Sequence, residues 1–260
     1  MSPVAPKKRL GQHFLVDRNI LGVVGRLADL RAEDVVLEIG PGLGVLTTYL
    51  SDRVAYVHAI ELDRSLEAPL SAAIGERANV GVVFGDALVV DLRDLEPAPT
   101  KLVSNLPYNV ATPLVMESLI TLRTVASWCV MVQREVADRF FAEPRTKAYG
   151  AVSVLVRLHA RRTGLHPVSR TVFRPPPNVD SALVAFSRIP GPDRPEAVRR
   201  VVAGAFAHRR KTLANSLSLA GLASRESTVA VLAQLGHGPA VRAEALEPHE
   251  FVELAGRLGA

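Results

Sequence analysis

The stretch Val35-Val36-Leu37-Glu38-Ile39-Gly40-Pro41-Gly42-Leu43-Gly44 constrains the fold more than any other part of the chain. A continuous apolar run meets a glycine-rich turn, after which Val45, Leu46, Tyr49 and Leu50 recur at helical spacing. That order predicts a buried strand feeding a helix, the opening unit of a parallel sheet. Gly40, Gly42 and Gly44 alternate strictly, so this is not the dinucleotide fingerprint GxGxxG. Glycines there let the backbone approach a ligand closely.

Three more apolar runs extend the pattern. Val57-His58-Ala59-Ile60 ends in Glu61-Leu62-Asp63, and an acidic residue at that offset suits a ribose diol. Val80-Gly81-Val82-Val83-Phe84 ends in Gly85-Asp86-Ala87, with Asp86 placed to accept from an adenine amino group. Lys101-Leu102-Val103-Ser104 delivers Asn105. Four strands, each with a polar residue at its carboxyl end, predict an α/β protein. Its doubly wound sheet should carry a nucleoside along one edge. The alternative is a generic Rossmann-like domain in which Glu61 and Asp86 only cap helices.

Asn105-Leu106-Pro107-Tyr108 then points to chemistry on an exocyclic amine. Such a nitrogen is a poor nucleophile until acceptors engage its hydrogens, and an Asn carboxamide oxygen with the next main-chain carbonyl can do that. Pro107 stiffens the loop, and Tyr108 offers a face for an extruded base. Read alone, the tetrapeptide could equally be a strand-ending turn.

The chain of 260 residues carries a net charge of +5 and a pI near 9.7, which favours a polyanionic partner. The single cysteine, Cys129, lies in the apolar run Trp128-Cys129-Val130-Met131-Val132 and reads as a core residue. One cysteine excludes a disulfide framework and a thiolate metal cluster, so no metal is expected. No apolar stretch reaches the length of a membrane span, and no apolar segment follows the basic Lys7-Lys8-Arg9 as a secretory signal would require. A cytoplasmic location is the expectation.

Ala182-Leu183-Val184-Ala185-Phe186 reads as the last strand of the first domain, taken as residues 1–188 with a basic N-terminal arm. Ile189-Pro190-Gly191-Pro192-Asp193-Arg194-Pro195 has linker composition. Helical spacing at Val198, Val201, Val202, Ala205 and Phe206, and again over Glu226–Leu235 and Pro248–Leu258, predicts a small helical domain over 189–260. Arg209, Arg210 and Lys211 form either a solvated helix face or, with Lys7, Lys8 and Arg9, a set of phosphate contacts; the basic arm favours the second reading. Arg157, Arg161 and Arg162 are candidates to extend that patch.

Taken with Gly11-Gln12-His13-Phe14-Leu15, Gln133-Arg134-Glu135-Val136-Ala137, the run from Val172 to Ser181 and Ala207 to Leu213, these motifs resemble the small-subunit (16S) ribosomal RNA adenine N6,N6-dimethyltransferase family (KsgA/RsmA type) over nearly the whole chain. The resemblance implies a Rossmann-like class I methyltransferase domain with a small C-terminal helical domain, using S-adenosyl-L-methionine. It further implies action on two adjacent adenines in a hairpin near the 3′ end of the small-subunit RNA, within a pre-30S particle, by a monomer. Donor contacts are implied for His13, Leu15, Gly40, Gly42, Glu61, Leu62, Asp86, Ala87 and Asn105. His13 stands where the family usually has Asn; an imidazole can still make one hydrogen bond. Phe173, before the stiff Arg174-Pro175-Pro176-Pro177, is either a core aromatic or the second wall of a base sandwich opposite Tyr108; the resemblance favours the wall.

Overall fold

The computed structural model describes residues 6–7 and 10–259. They form two compact units, residues 1–137 with 161–188, and residues 138–160 with 189–260.

In the first unit the strands are β1 (Phe14–Leu15), β2 (Val35–Ile39), β3 (Tyr56–Glu61), β4 (Val80–Phe84), β5 (Lys101–Asn105), β6 (Ser127–Gln133), β7 (Ala160–Val168), β8 (Phe173–Arg174) and β9 (Ser181–Arg188). Seven of them make one sheet in the order β4-β3-β2-β5-β6-β9-β7. The pairings β2–β3, β3–β4, β2–β5 and β5–β6 are parallel, and β6–β9 is antiparallel. Every residue of β2 is buried, as expected of a parallel strand covered on both faces. From β2 the chain winds outward through β3 and β4, then returns to build β5 and β6 on the other side. The order therefore reverses between β2 and β5, and ligands of such sheets bind in the crevice beyond the strand ends at that point. Gly40 and Asn105 flank it.

Helices α1 (Asn19–Leu27), α2 (Val45–Ser51), α3 (Glu67–Ile74) and α4 (Ala111–Thr121) connect these strands. One core cluster joins Ile20, Leu21 and Val24 of α1 and Leu46 and Leu50 of α2 to Val36, Val57 and Val103 of the sheet. A separate two-stranded sheet pairs β1 with β8, with Leu15 opposite Phe173.

The second unit is helical: α6 (Ala151–His159), α7 (Pro195–Ala207), α8 (Leu213–Leu219), α9 (Arg225–Gln234) and α10 (Pro248–Leu258), with α5 (Arg134–Phe140) crossing the boundary. The sequence reading assigned residues 138–160 to the first domain; here they lie with the C-terminal helices. The reason is packing: α6 is apolar on one face, and that face lies against α7 and α10. Tyr149, fully buried, donates its hydroxyl to the Leu246 carbonyl at 2.7 Å. No described helix is long and apolar enough to cross a membrane.

Candidate active site

A cavity of about 1090 Å³, its open mouth included, lies at the crevice between β2 and β5. His13, Leu15, Gly40, Gly42, Glu61, Leu62, Asp86, Ala87, Asn105, Leu106, Pro107 and Tyr108 all line it. Their convergence follows largely from the seven-stranded sheet, since all but His13 and Leu15 stand at or just past the carboxyl ends of β2, β3, β4 and β5; those two come from β1 and the residue before it.

Gly40 and Gly42 have φ of 77° and 60°, a backbone conformation that side chains disfavour, and Gly42 is also crowded. A Cβ on Gly42 would meet the Phe14 ring at 3.1 Å, and one on Gly40 would meet Pro107 at 3.4 Å. The backbone thus forms the cavity floor directly.

Glu61 is 5% exposed. Its Oε2 accepts from Gly42 N at 3.1 Å and its Oε1 from Asp63 N at 2.8 Å. Burial raises its pKa, while these two N–H groups pull it back. Each oxygen keeps a second lone pair, which is what a vicinal diol needs. Asp86 is exposed, and its Oδ1 accepts from Leu88 N at 2.9 Å. It therefore shapes the turn after β4 and lines the cavity at the same time.

On the other side of the crevice, Asn105 Nδ2 donates to the His13 carbonyl at 3.2 Å, which turns the carboxamide oxygen away from that contact. Leu106 N is held by the Met131 carbonyl at 3.1 Å. Among the described residues the Leu106 carbonyl accepts no main-chain donor. The loop is anchored through its donors and keeps two acceptors for a ligand amine. Tyr108 OH and Ser181 Oγ share a hydrogen bond of 2.5 Å, which anchors the far end of the ring. Burial raises the Tyr108 pKa, so the phenol stays protonated.

Phe173 is not at this wall. It is 1% exposed and belongs to the core cluster with Leu15, Val168 and Met131. It does not line the cavity, so its ring does not face Tyr108 across it. The ring nearest Tyr108 is His13, 5.5 Å away between centroids and tilted by 30°. His13 Nδ1 lies 2.7 Å from the Pro175 carbonyl, so that nitrogen carries the proton.

The basic residues divide. Lys8 and Arg9 lie outside the described residues. Lys7 Nζ is paired with Asp63 at 2.6 Å, so its charge is already engaged. Arg209 donates to the Tyr149 carbonyl at 3.1 Å and faces Glu244 at 3.7 Å. Arg210 and Lys211 are exposed in the turn between α7 and α8, so the cluster is not a helix face. Arg157 bonds Glu143 at 2.9 Å and the Ala142 carbonyl at 3.2 Å, which removes it from any patch. Arg161 and Arg162 are exposed on β7.

Sequence reasoning missed Glu38 and Asp63. Glu38 lines the cavity at 1% exposure, and its Oε2 has no hydrogen-bond partner among the described residues. Burial pushes its carboxyl up to about 8, against a weaker pull from Thr47. A lone acid inside the apolar run of β2 was the available signal. Among the described residues no group of side chains could hold a metal ion.

A mixed, mostly parallel sheet with this strand order, three positive-φ glycines after β2 and acids at or just past the ends of β3 and β4 together define a Rossmann-like class I methyltransferase. Comparison with known proteins then narrows the class. The family model for ribosomal RNA adenine dimethylase matches residues 5–255. The Ribosomal RNA small subunit methyltransferase A of Rubrobacter xylanophilus is 46% identical, covering 97% of this chain and 95% of that protein. The protein of the same name from Pelotomaculum thermopropionicum is 41% identical, covering 97% and 91%. The crystal structure of the 23S rRNA methyltransferase ErmE is similar with a TM-score of 0.70 at 28% identity, covering 95% of this chain and all of that one. A dimethyladenosine transferase from Plasmodium falciparum shares the fold, with a TM-score of 0.75 at 23% identity over 93% and 96%. The chain belongs to the ribosomal RNA adenine dimethylase family.

Proposed function

We propose that this enzyme transfers methyl groups from S-adenosyl-L-methionine to N6 of two adjacent adenosines near the 3′ end of small-subunit ribosomal RNA, giving N6,N6-dimethyladenosine. The observation that carries this reading is the pair of uncommitted acceptors, the Asn105 carboxamide oxygen and the Leu106 carbonyl, at the switch point beside the cavity that Glu61 and Asp86 also line. The names of the relatives support the small subunit as substrate.

The cavity residues fit the donor. Glu61 would take both ribose hydroxyls, Asp86 the adenine amine, and the bare backbone at Gly40 and Gly42 the amino-acid portion, with His13, Leu15, Leu62 and Ala87 as walls. When bound, the donor supplies an electrophilic methyl group on a sulfonium. Asn105 and the Leu106 carbonyl would engage the two N6 hydrogens in the first transfer, and one of them the remaining hydrogen in the second, drawing the nitrogen toward tetrahedral geometry. They also stabilise positive charge developing on it, as preorganised acceptors do. As the N–C bond forms and the C–S bond breaks, the new ammonium loses its proton to water, so no general base is required. Pro107 keeps the loop rigid. Tyr108, oriented by Ser181, supplies a stacking face for the flipped base. Holding nitrogen and methyl in line at near-attack distance provides much of the acceleration.

Phosphate contact falls to Arg210 and Lys211, with Lys8 and Arg9 as further candidates. The proposed setting is a pre-30S particle in the cytoplasm, with the enzyme acting as a monomer.

The test is methylation of small subunits purified from a strain lacking the modification, with labelled donor and the product adenines mapped. Two adjacent dimethylated adenines near the 3′ end are expected. Label confined to large subunits would favour a function like that named for ErmE. Binding without any label would leave an assembly factor that has lost catalysis.

A further inference from the structure

Three acids line the cavity, Glu38, Glu61 and Asp86, and no Lys or Arg is among its described lining residues. Their surroundings differ. Asp86 is exposed. Glu61 is buried, but each of its oxygens accepts a main-chain N–H, from Gly42 and from Asp63. Glu38, opposite Ala59 of β3, is 1% exposed, and its Oε2 has no partner among the described residues. A negative charge on Glu38 would stand in a low dielectric beside a second carboxylate, with no cationic side chain in the lining to balance it. Burial pushes the Glu38 carboxyl up to about 8; Thr47 of α2 opposes the rise and the charge on Glu61 adds to it. Where two acids in one pocket differ this much, the proton resides on the less solvated and less bonded one.

The methyl donor carries a sulfonium and an ammonium, and so supplies the positive charge that the lining lacks. An opposite charge brought into a poorly screened site favours the ionised acid. We propose that Glu38 is a neutral carboxylic acid in the empty site and ionises when the cationic donor enters, so that donor binding releases a proton and tightens as pH rises. The Glu38 O–H bond breaks, its electron pair stays on the carboxylate, and the proton passes to solvent. While Glu38 holds its proton, binding must remove it, so donor affinity falls as pH drops below about 8. Other ionisable groups around β2 are engaged elsewhere. His58 of β3 bonds the Pro97 carbonyl, Lys101 of β5 pairs with Asp34, and Tyr49 of α2 lies under Arg53. Arg26 of α1 and Glu117 of α4 are exposed. Across the cavity, His13 bonds the Pro175 carbonyl and Tyr108 bonds Ser181. The inference rests on reading the cavity as the donor site.

Calorimetric titration of S-adenosyl-L-methionine into the full chain, without RNA, counts the protons exchanged when repeated at about pH 6.5 in buffers of different ionisation enthalpy. Wild type should release most of a proton per donor bound, and its dissociation constant should tighten about fivefold or more between about pH 6 and about pH 7. Glu38→Gln keeps the size and neutral form of the acid, and should lose both the release and this part of the pH dependence. Infrared difference spectra between ligand-free wild type and Glu38→Gln supply a second readout. They should show a protonated-carboxyl stretch at about pH 6.5 that gives way to carboxylate bands when donor is added. Equal proton release in the two proteins places the proton on another group and overturns the inference. Carboxylate bands for Glu38 in the empty enzyme overturn it as well. Donor binding by wild type without release sinks the coupling alone and leaves the donor reading standing. If wild type does not bind the donor, both fail together.

Discussion

Glu38 is the residue whose ionisation the fold alters most visibly at the site. Its pKa rises from 4.5 to about 8 because burial disfavours the charged form. The sign follows from linkage: an acid with a raised folded pKa favours folding fully below 4.5, and that contribution is lost as pH climbs through about 8. The melting temperature of the ligand-free wild type should therefore fall more steeply than that of Glu38→Gln between about pH 5 and about pH 8. Thermal melts of both proteins across that window check it; parallel profiles would mean that Glu38 is ionised throughout. At this scale the sequence was legible where a residue ends a strand, as with Glu61, Asp86 and Asn105. It was silent about Phe173, because the inward or outward sense of a two-residue strand depends on its pairing, here with β1. It misled at Lys7, whose charge resembles an RNA-binding arm until the fold brings Asp63 beside it.

Elements of the first unit are fixed by polar side chains at their ends as much as by apolar faces. Arg188, at the end of β9, spreads its guanidinium over the last turn of α4. Its Nε donates to the Val125 carbonyl, Nη1 to Leu119 and Nη2 to Leu122, each at 2.8 Å. Leu119 lies in the last turn of α4, where carbonyls lack an intrahelical donor, while Leu122 and Val125 belong to the loop that follows, with Leu122 O also accepting from Val125 N at 3.2 Å. The same group lies over the Trp128 ring, 4.9 Å from its centroid. Arg188→Met should destabilise the protein by about 1.5–3 kcal/mol, since the Leu119 and Val125 carbonyls lose their donors in one step and Leu122 O keeps only the Val125 N–H. Arg188→Lys should recover only part of this, because an ammonium cannot match the fork. Denaturant titration of the three proteins provides the measurement, and equal stabilities would reduce the fork to a surface ornament. Apolar runs such as Val35–Ile39 announced the parallel strands because such strands must be apolar on both faces. By contrast, the sequence reading left the α6 segment inside the first domain, because a short apolar run does not say which unit will cover it, whereas residues 138–160 pack with the C-terminal helices.

For the molecule as a whole, a basic balance of +5 predicted a polyanionic partner but not which charges meet it. The structure sorts them. Arg209 is bonded within the second unit, whereas Arg210 and Lys211 extend into solvent. Replacing Arg210 and Lys211 by Ala should weaken binding to the small-subunit particle and lower its log-log salt dependence by about two, with donor affinity unchanged. Replacing Arg209 alone should instead lower thermal stability and leave the slope near wild type. A double variant with the wild-type slope would remove this turn from the RNA-binding surface. The central claim concerns the crevice between β2 and β5, where the loop from Asn105 to Tyr108 keeps two acceptors for the reacting amine. Single-turnover methylation of small subunits by Asn105→Ala, at saturating donor and particle, tests it most directly. The predicted rate is about 10²- to 10³-fold below wild type, the cost of removing one preorganised group that acts on transition-state charge. A rate close to wild type would contradict the role assigned to Asn105.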